Sequence, residues 1–69
     1  MRKSAIERAC DAVGGQMVLA KAVKVTPQAV HLWVRKKRVP PKRALAVEEA
    51  SGVSRHELRP DYYPLEKVA

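Results

Sequence analysis

Residues 16–35, QMVLAKAVKVTPQAVHLWVR, constrain the fold more than any other stretch, because they read as two short helices joined by a tight turn. Leu19, Ala20 and Val23 recur at helical spacing on the first helix. Val30 and Trp33 line one face of the second, so the two can pack across a small core. Between them, the Thr26 hydroxyl can accept a bond from an otherwise unpaired backbone N–H, and Pro27 suits a first helical position that needs no donor. Ala20 falls where two crossing helices come closest, and a leucine there would force them apart. The pattern is a helix-turn-helix.

A chain of 69 residues buries little apolar surface, so its fold must be compact and locally specified, and it can also lean on a second subunit. Helices meet that need, and both flanks of the motif carry helix signals. Ser4 and Glu7 have capping-box spacing, Ile6, Ala9, Cys10 and Val13 form one apolar stripe, and Gly14-Gly15 ends it. Residues 1–3 precede this helix as a short mobile arm. Pro41 opens a fourth helix whose packing face is expected from Ala44, Leu45, Val47 and Ala50, with Ser51-Gly52 as its close. Ser54 and Glu57 repeat the capping box and start a single-turn fifth helix, with Val53 and Leu58 as a hydrophobic staple. Two prolines in residues 59–64 exclude regular helix there. That segment folds back over the core or reaches a second subunit through Tyr62 and Tyr63, and residues 65–69 fray. The expectation is one domain over residues 1–69, all-α, a compact bundle of about five short helices.

Charge is distributed in a way that points to a polyanion. The net charge is +7, yet residues 12–47 contain no acid while Lys21, Lys24, Arg35, Lys36, Lys37, Arg38, Lys42 and Arg43 all fall there. The flanks are close to neutral. Six of the nine residues from Arg35 to Arg43 are cationic, and two prolines interrupt them, which reads as a short basic loop. Lys36, Lys37, Arg38, Lys42 and Arg43 are therefore candidate phosphate-neutralising residues. Gln16 joins them, because its side chain and the free N–H groups of the turn it opens could hold a phosphate. Glu48 and Glu49 should lie away from such a partner.

Helical angles divide the third helix sharply. With Val30 facing the core, Ala29, Trp33 and Val34 turn inward, whereas Gln28, His31, Leu32 and Arg35 face outward. That outer set matches the edges of base pairs in a major groove. An amide suits adenine, an imidazole and a guanidinium suit guanine, and an apolar side chain suits the thymine methyl.

Other chemistries are excluded by what the sequence lacks. His31 and His56 fall on different elements, and His56-Glu57 has Pro60 where a zincin needs its second histidine. Neither a catalytic constellation nor a metal or cofactor site emerges. Cys10 is the sole cysteine, so no intrachain disulfide forms, and a reducing cytosol is the expected compartment. It reads as a small buried hydrophobe. One Trp, two Tyr and no Phe argue against a single-strand RNA binder, and no apolar run is long enough to span a membrane.

Gln16, Leu19, Ala20, Val25, Gln28-Ala29-Val30, Trp33, the Arg38-Val39-Pro40 junction and the ending Arg55-His56-Glu57-Leu58-Arg59-Pro60-Asp61 with Tyr63-Pro64 carry a resemblance. The sequence resembles the Cro and YdaS-like antitoxin group of phage and prophage helix-turn-helix repressors. The resemblance implies a lambda-repressor-like fold, double-stranded operator DNA as partner and bacterial cytosol as location, near the nucleoid. It also implies a homodimer on a roughly palindromic operator, its two recognition helices about 34 Å apart, and repression by blocking polymerase. By the same resemblance Gln28, His31, Leu32 and Arg35 stand at base-reading positions, and Thr26 and Gln16 at positions that touch phosphate. One departure stands out. The family's turn usually has glycine where this chain has Lys24, so either a positive φ there strains the lysine by about 1 kcal/mol or the turn differs slightly and with it the angle between the helices. An alternative is an antitoxin-like interaction module that pairs chiefly with a toxin or other protein, with Tyr62, Tyr63 and the tail as its contact.

Overall fold

The computed structural model describes residues 3–64. Among them are five helices and no strand: α1 (Ala5–Val13), α2 (Gln16–Val23), α3 (Pro27–Lys36), α4 (Pro41–Ser51) and α5 (Arg55–Leu58). The expected mobility of residues 1–2 and 65–69 lies outside the described residues. Lys3, expected in the mobile arm, has its ammonium paired with Asp11 on α1, and that pairing raises its pKa.

Several helix ends have a local reason. At α1, the Ser4 hydroxyl accepts from the Glu7 N–H while the Glu7 carboxylate accepts from the Ser4 N–H, a complete capping box, and left-handed Gly14 closes the helix. The bonds from Ser4 also hold the Glu7 carboxyl below the ordinary carboxylate range. Thr26 caps α3 by accepting from the Ala29 N–H at 3.2 Å, with Pro27 in the first turn. Gly52 ends α4 at φ 82°.

Two expectations need correction. Leu45 was assigned to the packing face of α4, but it is 42% exposed; Ala44 and Val47 are the buried residues, with Ala46 and Ala50 packed against the core. The second capping box is only half formed. Ser54 accepts from the His56 N–H, and Glu57 turns instead to Arg8 on α1, where an ion pair joins the first and last helices. Within the basic loop Val39 is wholly buried, between exposed cations.

The core forms where α2 packs on α3 and α4, with α1 laid across α2 and α4. Ile6, Ala9, Cys10, Leu19, Ala20, Val23, Val30, Trp33, Val39, Val47 and Leu58 meet there. Ala20 is 1% exposed, so no room exists for a larger side chain at the α2–α3 approach. Among the described residues no buried side chain is polar or charged, so the core behind α3 is held by apolar packing.

Candidate nucleic-acid interface

The turn before α3 determines how that helix is presented. Lys24 closes α2 in the left-handed conformation, at φ 66° and ψ 47°, so the turn keeps its glycine-like shape although the residue is a lysine. The Val25 N–H then reaches back to the Ala20 carbonyl at 2.9 Å, and Val25 packs against the core. The lysine thus accepts the strain of that conformation, and its cation lies at the negative end of the α2 dipole, which offsets part of it.

On α3 the expected division holds. Val30 and Trp33 are buried and Ala29 and Val34 pack against the core, while Gln28, His31, Leu32 and Arg35 are all exposed. Leu32 is 46% exposed on this otherwise polar face. Thr26 is exposed at the start of the same helix, its hydroxyl engaged in the cap.

The candidate phosphate-binding cations are all exposed, and they divide into groups around α3. Lys36 and Arg38 line a groove of about 200 Å³ together with Leu32, Trp33, Pro40 and Arg59. Lys37 lies toward α1, close enough to Glu7 to help lower its pKa. Lys42 and Arg43 occupy the first turn of α4. Gln16 is half-buried and borders a cleft of about 340 Å³ whose walls include Glu7, Cys10, Asp11, Gly15 and Val34. Two carboxylates thus border the cleft next to Gln16, a less purely positive setting than the sequence suggests.

Helix ends add to this field. The first turns of α2, α3 and α4 contain no acid, whereas those of α1 and α5 contain Glu7 and Glu57. Both α2 and α4 also lack a side-chain cap. Acids in a first turn stabilise a helix by offsetting the positive end of its dipole, and cations there do the reverse. The three helices of the basic region forgo that stabilisation and leave their positive ends available to an anion.

Sequence reasoning missed Arg59 as a member of this region. Its side chain is 13% exposed, and Nη1 donates to the Val39 carbonyl at 3.0 Å. Nε and Nη2 donate to the two Asp61 oxygens at 2.9 and 2.6 Å, a forked pair that lowers the Asp61 pKa to about 2. The only signal was a basic residue two places before an acid, across a proline. The neighbouring segment folds back over the chain as one of the two expected alternatives. His56 Nδ1 donates to the Tyr63 carbonyl at 2.7 Å, and the Arg55 guanidinium lies 5.7 Å from the centre of the Tyr63 ring. Arg55 Nε is 3.0 Å from a Glu48 oxygen but not aligned for a hydrogen bond, so charge alone holds that pair. Tyr63 is half-buried by these contacts, and Tyr62 is left 59% exposed.

Fold and surface together define a helix-turn-helix domain of lambda-repressor-like architecture, with a polar face on its third helix set among cations. Residues 6–66 match the family described as bacterial toxin YdaS, and the chain belongs to that family. It is 40% identical over 58 residues to a protein of Escherichia coli (strain K12) named as the transcriptional regulator YdaS. The match takes in 80% of this chain and 59% of that relative, so the chain spans little more than half the relative's length. Among solved structures it is similar to the Cro protein of the prophage element Xfaso 1 in Xylella fastidiosa strain Ann-1. That likeness has a TM-score of 0.81 and 30% identity, covering 94% of this chain and 98% of the other. The first of these is named for transcriptional regulation and the second as a Cro protein, and neither name is that of an enzyme.

Proposed function

We propose that the chain is a sequence-specific DNA-binding transcriptional repressor of Cro type, which binds a palindromic operator as a homodimer with α3 in the major groove. One observation carries the reading: Gln28, His31, Leu32 and Arg35 stand exposed on one face of α3, in a region of eight cations and no acid. Such a face can exchange hydrogen bonds with base edges, and Leu32 gains a reason to be exposed if it meets a thymine methyl. Lys36, Lys37, Arg38, Lys42 and Arg43, with the open helix ends, supply the sequence-independent attraction. Gln16 and Thr26 stand at the two helix starts that would face the sugar-phosphate backbone. The names of the relatives agree with this reading, which places the protein with DNA in the bacterial cytoplasm.

Selection of bound sites from random duplexes at moderate salt tests it, and a palindrome is the expected product. On the selected site, Gln28→Ala or Arg35→Ala should cost roughly 1 to 3 kcal/mol and relax preference at one position. Lys37→Gln should weaken all sequences about equally. Equal losses on selected and random DNA for Gln28, His31 and Arg35 variants would overturn the assignment of the reading face.

A second reading follows from the description of the matched family as a toxin, together with the exposed Tyr62 ring. Here the chain chiefly pairs with another protein and protects DNA only as part of that complex. Footprinting with the purified chain separates the two, since a clear protected site without any partner excludes this one.

A further inference from the structure

Residues 37–40 join α3 to α4, and six cations at Arg35–Arg38 and Lys42–Arg43 flank or belong to this short connection. Mutual repulsion would splay such a segment, and few local bonds resist it. Pro40 and Pro41 have no N–H to donate, and α4 has no side-chain cap. Local backbone bonds hold its two ends, with the Pro40 carbonyl accepting from the Arg43 N–H at 2.9 Å, and its middle is held from elsewhere. The Arg38 N–H reaches the Trp33 carbonyl at 3.0 Å, the Val39 side chain enters the core, and the Val39 carbonyl accepts from Arg59, twenty residues later in the chain.

We propose that Arg59 is a positioning residue for nucleic-acid binding, which fixes the α3–α4 linker on the C-terminal turn so that Lys36, Arg38, Lys42 and Arg43 are in place before DNA arrives. The inference rests on the DNA-binding reading above. Placing a seventh cation beside six others is unfavourable unless it is neutralised, and Asp61 does this through two parallel bonds. The same clamp aims the remaining nitrogen at the Val39 carbonyl. A planar guanidinium can make all three bonds at once, and a lysine ammonium lacks the rigid fork that sets their directions. Backbone bonds anchor the other end, because the Arg59 carbonyl accepts from the Tyr62 and Tyr63 N–H groups at 3.1 and 2.7 Å. Arg59 also walls the groove that Leu32, Lys36 and Arg38 share, so its hold on the linker acts directly beside the reading helix. A linker already ordered spares binding the entropy of ordering it.

The test compares wild type with Arg59→Lys and Asp61→Asn, each first shown by circular dichroism to be folded at the working temperature. Binding to a random-sequence duplex of about two turns is read by fluorescence anisotropy across a salt series, which needs no knowledge of the operator. Backbone 15N relaxation of residues 37–39 is measured on the free proteins. Arg59→Lys keeps the charge, yet it should weaken binding on the order of tenfold, flatten the salt dependence and lower the order of the linker. Asp61→Asn should do the same more weakly. Adding Arg59→Lys to a Lys36→Gln, Arg38→Gln protein should cost much less than it does alone. Wild-type linker order in both variants overturns the proposal. So does tighter binding by Asp61→Asn, or an Arg59→Lys loss undiminished when those two cations are absent, since either makes Arg59 a direct phosphate contact. If wild type binds no duplex at all, the DNA-binding reading fails and the proposal fails with it, whereas normal wild-type binding with unchanged variants sinks the proposal alone.

Discussion

The turns at the two ends of α3 begin alike and are secured differently. Each follows a lysine in the left-handed conformation, Lys24 at φ 66° and Lys37 at φ 59°, and in each the next N–H bonds back into the preceding helix. Each also ends at a proline that opens the next helix. The first turn then closes on itself, since Val25 packs against the core nearby and Thr26 caps α3. In the second, an arginine takes the place of Val25, a valine one residue later is wholly buried, and Pro40 gives no side-chain cap. Its remaining support comes from Arg59. The turn before α3 is thus specified by its own residues, and the turn after it by tertiary contacts. A fixed local turn suits a helix whose angle must be reproducible, and a turn crowded with cations needs an outside anchor.

The largest expected break in this pairing is at Val39. Val39→Ala should destabilise the protein by about 2 kcal/mol, measured by urea unfolding, because it empties a fully buried site. A change below roughly 0.5 kcal/mol, the size usual for a surface position, would mean that the second turn is not anchored through the core. Thr26→Ala comes next. It should lose about 1 kcal/mol through the cap alone, and its effect should add to that of Val39→Ala if the two turns are independent. The smallest effects are gains. Lys24→Gly and Lys37→Gly should each stabilise by up to about 1 kcal/mol, visible as a higher melting temperature, by relieving left-handed strain. A gain at one lysine only would show that the two turns do not share the same strain.

Legibility in the sequence follows the same division. The α2–α3 pair could be read because stripes such as Leu19, Ala20 and Val23, and caps such as Thr26, act within a few residues of where they stand. The outward set on α3 could be read for the same reason, since a single helix fixes the angle between Val30 and Arg35. Leu45 was misplaced because periodicity on a short helix leaves the direction of the core open by a residue or so. Glu57 was assigned to its own helix, but its partner is Arg8, 49 positions earlier. Val39 was hidden in a run of charge, and Arg59 gave no local sign that it would meet the Val39 carbonyl. These contacts depend on how α4 and α5 return to the start of the chain, and no local pattern encodes that.

Cys10 gives the molecule a chemical clock. Cys10 is 5% exposed, in the wall of the cleft that Gln16 borders, and burial raises the pKa of its thiol, so little reactive thiolate is present in the native state. An alkylating reagent gains full access to it only when α1 lifts away from α2 and α4. With opening fast relative to reaction, the labelling rate is the rate for an exposed thiol multiplied by the fraction of time the helix is open. One mass measurement over time would thus report the free energy of opening at α1 without denaturant or a dye.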